Sequence, residues 1–585
     1  MIILGLNAYH PDSSACIIRD GILIAAVEEE RFLRIKHWAG FPQQAIAYCL
    51  REAGIDLKDV DYVTLNRDPR ANLHKKAAFL FLNHPPIAFI KSRLANAGKI
   101  RGVKEALGVA FEVPSEKIRA KIYPVEHHRA HLASTFFLSP FEDAAVVSID
   151  GYGDFTSCMV ARGVKNRLRE LYEVNYPHSL GIFYTMFTQL LGFKNVGDEY
   201  KVMGLAAYGK PQYADKMEEI LIRKPGGRFA LDRSYIAGYK RTDEMLWNIT
   251  APVLEDVYSQ KLVERFGPSR KSDEQIGAYH CDIAASVQEA YERAFFHILN
   301  HAHEVTQTSR LCLAGGCALN SLANGKIFDR TPFKEVYIQP ASSDAGGSLG
   351  SAYYLYHQVL GHARTFVMDT VAWGPGYSRD QIGMMLEEKK DELTAAGCHI
   401  EMLENDDQVC ARTARAIADG NVVGWFQGRM EWGPRALGYR SILVDPRRKE
   451  MKDILNARIK RREWFRPFAP SVLLERVGDY FEKEYPDPFM IKVYQVKKDK
   501  RETIPAVTHV DGTGRLQTVS RADNPLYWKL IKEFEAITGV PVLLNTSFNE
   551  NEPIVNTPQE ALECFLRTKM DCIALGPYLV HKGKK

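Results

Sequence analysis

Short apolar blocks open the chain: Ile2 to Leu6, Ser14 to Arg19 and Ile22 to Glu28, with a turn signal at Asp20-Gly21. Blocks of this length and composition predict three successive strands. The pattern returns at Ala144 to Ile149 and Thr156 to Arg162. Between the two groups, Val125 to Phe137 carries good helix formers with no internal Pro or Gly, which predicts a helix. A longer helix is predicted over Asp282 to Val305, a strand over Arg310 to Leu313 and another over Glu335 to Gln339. After Leu360 the texture changes, and Gly361 to Thr370 reads as a boundary between a first domain over residues 1–365 and a second over 371–585. In the second, Val422 to Phe426 and Val540 to Asn545 predict strands. Strands mixed with helices in this way imply an α/β (α+β mixed) class. Repeated hairpins, each followed by helices, are how duplicated actin-like or ribonuclease-H-like ATPase folds are built, and that is the analogy for the first domain.

Composition narrows the function classes. At 585 residues the chain exceeds what one core supports. Its 76 basic and 72 acidic residues are too balanced for a general nucleic-acid binder. No apolar run spans a bilayer: Ala77 to Ile90 is broken by Asn83, His84, Pro85 and Pro86. Met1 to Leu6 lacks a basic leader, so a cytoplasmic location without a membrane partner is expected. Ten scattered cysteines with no Cys-x-x-Cys argue for reduced thiols, not for disulfides or a cysteine-rich zinc module.

The candidate chemistry begins in Glu126-His127-His128-Arg129-Ala130-His131. On a helix, His127 and His131 at i and i+4 project from one face; His128 and His131, at i and i+3, are a second possible pair. Asp150, nineteen residues after His131, closes a β-branched run and would stand at a strand tip facing a cleft. Asp344, in the small-residue loop Pro340 to Gly347, is either an N-cap or a further ligand. Two His and two Asp would suit Fe(II), Mn(II), Zn(II) or Ni(II). Gly315 and Gly316, between a strand and a helix, would let backbone N–H groups approach a phosphate. A third concentration runs from Arg429 to Arg466, where Arg435, Arg440 and Arg466 lie beside Gly, Pro and aromatic residues. That setting reads as a small-anion pocket, whereas Arg461 and Arg462 read as a solvated helix face. Asn545 to Asn549 offers polar small residues at a strand end, a seat for an oxyanion or a phosphate.

Taken in order, GLNAYHPDSSA with VEEERF, HHRAH with SIDGYGD, DEYKVMGLAAYG, GGCALN, SSDAGG, GRMEWGPRALGYRSIL, RREWFRPFAPSVL and LLNTSFNENEPIV resemble the O-carbamoyltransferase family that modifies nodulation factors and antibiotics, including tobramycin and cephamycin carbamoyltransferases. The resemblance covers almost the whole chain. It implies an N-terminal actin-like domain joined to a C-terminal YrdC-like α/β domain. It also implies two reactions: carbamoyl phosphate and ATP, with Mg²⁺, give carbamoyl adenylate and pyrophosphate, and the carbamoyl group then passes to a hydroxyl of a small-molecule natural-product acceptor. The positions matching the family's carbamoyl phosphate and ATP pocket are Arg435, Arg440, Lys460, Arg466, Arg515, Asn545 and Ser547. Those matching its Fe(II) ligands are His127, His131, Asp150 and Asp344, and Glu199, Lys201, Gly315, Gly316 and Asn320 would border the nucleotide in the transfer domain. His10 and Lys36 match the segment near the acceptor, where His10 is either the general base or a structural histidine capping the first turn. Asp68 to Ile122, with Pro85-Pro86 and a basic helical run, is where acceptor contacts are expected. A homodimer is compatible with this reading. The rival readings are a tRNA-modifying carbamoyl-type transferase and a nucleotide-binding regulatory module without transfer chemistry.

Overall fold

The computed structural model describes residues 1–237 and 254–583. It divides into two compact units, Met1–Met368 and Asp369–Lys585. In the first, β1 (Ile2–Asn7), β2 (Ser14–Arg19) and β3 (Ile22–Glu28) form an antiparallel meander. To the other side of β1 are added β4 (Tyr62–Leu65) and β5 (Lys121–Pro124), both parallel to it. The order is β3-β2-β1-β4-β5.

A second sheet repeats the plan. The strands β6 (Asp143–Gly153), β7 (Thr156–Val164) and β8 (Arg167–Asn175) form the meander. After a separate two-stranded hairpin of β9 (Leu221–Lys224) and β10 (Arg228–Leu231), β11 (Arg310–Ala314) and β12 (Glu335–Ile338) extend the sheet parallel to β6. Its order, β12-β11-β6-β7-β8, matches the first sheet strand for strand. Two copies of one topology, three antiparallel strands followed by two parallel ones, are the duplicated ribonuclease-H-like arrangement that the paired hairpins predict.

The central strands β1 and β6 are buried over most of their length, as their near-continuous apolar runs require. Helix His127–Phe136 is buried at nine of its ten residues and packs against helix Gly346–Tyr353. Backbone touches backbone there: a Cβ on Gly350 would fall 1.8 Å from the Ala130 carbonyl oxygen. Helix Ala278–Thr306 begins one turn before the predicted Asp282. The ten cysteines are free, and all but Cys317 are buried.

The second unit holds one mixed nine-stranded sheet: β13 (Cys398–Met402), β14 (Val423–Phe426), β15 (Arg440–Val444), β16 (Ala469–Leu473), β17 (Lys492–Gln495), β18 (Thr513–Val519), β19 (Val542–Ser547), β20 (Cys572–Leu575) and β21 (Tyr578–Lys582). Their order is β13-β21-β20-β14-β15-β19-β16-β18-β17. Helices Asp406–Ala418, Pro525–Thr538 and Pro558–Arg567 start at Asn405, Asn524 and Thr557, whose side chains each accept the backbone N–H of the third helical residue. In the last two, Pro occupies the first helical position, where its missing N–H costs nothing. Both units are thus mixed α/β. Among the described residues, no helix is long and apolar enough to cross a membrane.

Candidate functional site

The first site is assembled from four elements. Helix His127–Phe136 starts at Glu126, whose carboxylate accepts the Arg129 N–H at 2.8 Å. That start turns His127 and His131 to one side, their side chains 0% and 1% exposed. The alternative pair does not form: His128 points into the sheet, with Nδ1 2.8 Å from Ser148 Oγ and Nε2 3.0 Å from the Thr156 carbonyl. Asp150 is not at a strand tip, because β6 continues to Gly153; it stands where the register with β7 shifts, between Ile149 and Gly153. Asp344 is no N-cap either, since the helix at Gly346 starts without a side-chain cap.

These four side chains converge, their ligand atoms all within 4.8 Å of one another. The Nε2 atoms of His127 and His131 are 3.1 Å apart. Asp150 Oδ2 lies 3.2 and 3.5 Å from them, and Asp344 Oδ1 lies 3.4 and 3.5 Å away. Asp344 Oδ1 is buried and hydrogen-bonded to nothing among the described residues. Burial resists charge on both carboxyls, yet the histidines outweigh it and hold Asp150 and Asp344 below the usual carboxylate range. Burial likewise opposes charge on His131, and the two aspartates overcome it, raising the imidazole to about 9. A set that gathers two anions around two inward nitrogens is a cation site in waiting. Donors held about 2.0–2.2 Å from a tetrahedral metal would be about 3.3–3.6 Å apart, close to the spacing observed.

Around this cluster the other predicted residues are distributed unevenly. His10 reaches it directly, with Nδ1 2.5 Å from Asp344 Oδ2. Lys36 is half-buried beside His37, whose Nδ1 pairs with Asp12 at 2.7 Å. The Gly316 N–H donates to Asp150 Oδ1 at 2.9 Å, so this amide orients a carboxylate. Gly315 has φ +90°, and a Cβ there would stand 2.2 Å from the Ile149 carbonyl oxygen, which is why the turn takes glycine. Asn320 caps the short helix that follows and exchanges hydrogen bonds with Gln288. Glu199 accepts from Thr185 Oγ1 at 2.6 Å, and burial raises its pKa; Lys201 pairs with Asp198 at 3.0 Å. Sequence reasoning missed Asp154, whose Oδ2 accepts the N–H of Asp68 at 2.7 Å and of His127 at 3.1 Å, tying the start of the histidine helix to the β6–β7 turn.

The second site is cationic. Arg515, on β18, is driven well below the usual guanidinium range by burial and then by Arg435, Arg462 and Arg466, with Asp487 opposing. Arg462 therefore belongs to the cluster and not to a solvated face: it stacks 4.5 Å from the Phe468 ring centre and donates to Asn456 Oδ1 at 2.7 Å. Arg461 does remain exposed, at 65%, near Glu550. Asn545 and Ser547 lie within β19, not beyond its end. Asn545 gives its amide N–H groups to the Ala436 carbonyl, Ser471 and Gln517, leaving a buried Oδ1 with no partner among the described residues. Lys460, 1% exposed, donates to Ser547 and Asn549. Arg440 is not an open anion ligand: its guanidinium is fully buried, donates to the carbonyls of Gln427, Tyr439, Pro375 and Gly428, and stacks 3.6 Å from the Phe426 ring centre. Glu431, unremarked in the sequence, binds the N–H groups of Leu437, Tyr439 and Arg440 through Oε1, each at 2.9 Å, and so shapes the loop that carries Arg435.

Comparison with known proteins covers both units. The carbamoyltransferase N-terminus family model matches residues 2–353, and the carbamoyltransferase C-terminus model matches residues 414–582. The nodulation protein NolNO of Sinorhizobium fredii is 40% identical over 98% of this chain and 80% of its own length. An uncharacterized Synechocystis protein is 40% identical over 99% of this chain and 96% of its own. Nodulation protein NolO of Bradyrhizobium diazoefficiens is 41% identical over 78% of this chain and 79% of its own. Among solved structures, HypF of T. kodakarensis overlays 62% of this chain and 48% of its own with a TM-score of 0.30 at 13% identity. With family models spanning both units and a relative 40% identical along nearly its whole length, the chain belongs to the carbamoyltransferase family.

Proposed function

We propose that this chain is an ATP-dependent O-carbamoyltransferase that activates carbamoyl phosphate in its second unit and transfers the carbamoyl group in its first. The observation that carries the reading is the guanidinium cluster of Arg435, Arg462, Arg466 and Arg515: the first three disfavour charge on Arg515, Asp487 offsets part of this, Glu463 lies 3.5 Å from Arg466, and a bound anion would offset more. Charge-assisted hydrogen bonds contribute about 1.5–3 kcal/mol each, enough for three or four to hold a phosphate against water.

Atom balance sets the activation chemistry. Water cleaves the anhydride of carbamoyl phosphate and inorganic phosphate leaves; the carbamate oxygen then attacks the α-phosphorus of ATP, and pyrophosphate departs with the bonding pair. Arg435, Arg466 and Arg515 stabilise the negative charge in both steps, and Mg²⁺ accompanies ATP. In the first unit, the acceptor hydroxyl oxygen attacks the carbamoyl carbon and AMP leaves. His10 takes the hydroxyl proton at Nε2, its Nδ1 lying 2.5 Å from Asp344 Oδ2. His127, His131, Asp150 and Asp344 would hold a divalent metal, Fe(II) in this reading, which when bound supplies a Lewis acid for the phosphate of the adenylate. The acceptor is a small natural-product alcohol.

Incubation with carbamoyl phosphate and ATP should release pyrophosphate and inorganic phosphate in equal amounts. A sample that releases neither refutes the reading. His10→Ala should keep pyrophosphate release and lose carbamate formation on an added alcohol.

A further inference from the structure

We propose that the first two of the three helices between β4 and β5, Leu73–Asn83 and Ile87–Arg101, dock on an anionic lipid surface. Helix Leu73–Asn83 is held by one face only. Phe79 packs edge-on against Phe155 and Tyr176, at centroid distances of 5.5 and 5.3 Å, and Lys75 pairs with Glu173. Just before the helix, Asn72 donates to the Asp154 carbonyl at 2.9 Å. The opposite face turns to solvent and is apolar: Leu73 is 57% exposed, Phe81 77% and Leu82 74%. After Pro85-Pro86, helix Ile87–Arg101 continues the surface. Its residues 87, 91, 94, 98 and 101 share one side by helical spacing, and all five are exposed. That stripe alternates Ile87 and Leu94, 72% and 66% exposed, with Lys91 and Arg101.

Charge selects the occupant. Residues 71–104 contain seven Lys or Arg and no Asp or Glu. A second copy meeting this face across a two-fold axis would set cation against cation. A surface of anionic headgroups over acyl chains complements both features, since the apolar side chains enter the headgroup boundary while the cations stay at its level. Such docking is peripheral and requires no spanning helix.

The test is sedimentation of the full chain with vesicles of phosphatidylcholine alone and of phosphatidylcholine and phosphatidylglycerol in equal parts. Binding is expected to the mixed vesicles only, reversed by high salt. Phe81→Ser with Leu82→Ser should weaken partitioning about tenfold or more. Lys91→Glu with Arg101→Glu should weaken it by roughly 25-fold or more, about 1 kcal/mol or fivefold for each cation removed. Because the altered side chains are exposed, both variants should melt within about 1 °C of wild type, in line with the small effect of surface substitutions. Absence of sedimentation with either vesicle, equal binding to neutral vesicles, or a wild-type dimer that the same variants dissociate without any lipid binding would each overturn the proposal.

Discussion

The guanidinium cluster should trade stability for binding, and Arg515→Met isolates the trade. Methionine keeps most of the apolar stem and removes the charge. Three neighbouring guanidiniums press on Arg515, each worth about 1–2 kcal/mol of repulsion at an effective dielectric near 20. Asp487 returns part of this, and Arg515 keeps some solvent exposure, so the net relief is about 1–3 kcal/mol. Asp487 is not abandoned by the change, because it accepts the N–H groups of Ile491 at 2.9 Å and Lys492 at 2.7 Å, with Lys492 Nζ 3.7 Å away. For a unit of about 200 residues, this relief raises the apo melting temperature by about 2–10 °C. The bound state moves the other way. Loss of one charge-assisted hydrogen bond of about 1.5–3 kcal/mol raises the Kd for carbamoyl phosphate about 10- to 150-fold. Thermal unfolding with and without saturating carbamoyl phosphate measures both effects: the variant should start higher and gain less. An apo variant that melts below wild type yet shows the full ligand-induced shift would mean that the arginine is a structural group, and the pocket assignment would fall.

His131→Asn and Asp344→Asn should each abolish bound divalent metal, read as metal per chain by elemental analysis after anaerobic loading with Fe(II). His128→Ala should keep the metal and lose about 2–4 kcal/mol of stability, since it strands buried Ser148 and Thr156 groups. Gly350→Ala should destabilise the first unit by about 3 kcal/mol or more in urea unfolding, because the new Cβ meets the Ala130 carbonyl oxygen at 1.8 Å and two buried helices must separate; retention of wild-type stability would mean that they are not packed this closely. The Asp12–His37 pair sets a pH dependence. Burial works against the charged imidazole, but Asp12 and Glu30 raise it to about 9, above its unfolded value near 6.5. A group whose folded pKa is raised contributes fully below the unfolded value and loses the contribution as pH climbs through the folded one. Asp12→Asn should therefore cost about 1–2 kcal/mol at pH 6 and almost nothing above pH 9.5; a pH-independent difference rejects the ion pair.

What the sequence disclosed depended on whether an interaction follows the periodicity of the chain. The paired hairpins were legible because β1 to β3 and β6 with β7 are consecutive apolar blocks, whereas β8, in which charged and apolar residues intermingle, and the four-residue β4 and β5 were not; the His127–His131 pair was legible because helical spacing alone puts both on one side. The choice between His127 and His128 was not, because it turns on the helix start at Glu126 and on where Ser148 stands across the sheet. Asp150 was identified but misplaced, since a register shift, which has no compositional mark, lets β6 run on through it. The largest omissions share one cause. Glu431 acts on three backbone N–H groups six to nine residues ahead, Asp154 on the N–H of residues 27 and 86 positions behind, and Gly316 spends its own N–H on Asp150. Backbone amides are identical at every position but proline, so a side chain recruited to bind them leaves no complementary residue type for sequence reasoning to find. Arginine has the opposite ambiguity. Arg440, Arg461, Arg462 and Arg466 look alike in composition, yet one is spent on carbonyls, one is solvated and two enter the cationic cluster. The difference is the aromatic or carbonyl surface on which each stem lies, Phe426 for Arg440 and Phe468 for Arg462, and those surfaces exist only once β14, β15 and β16 have been brought together in one sheet.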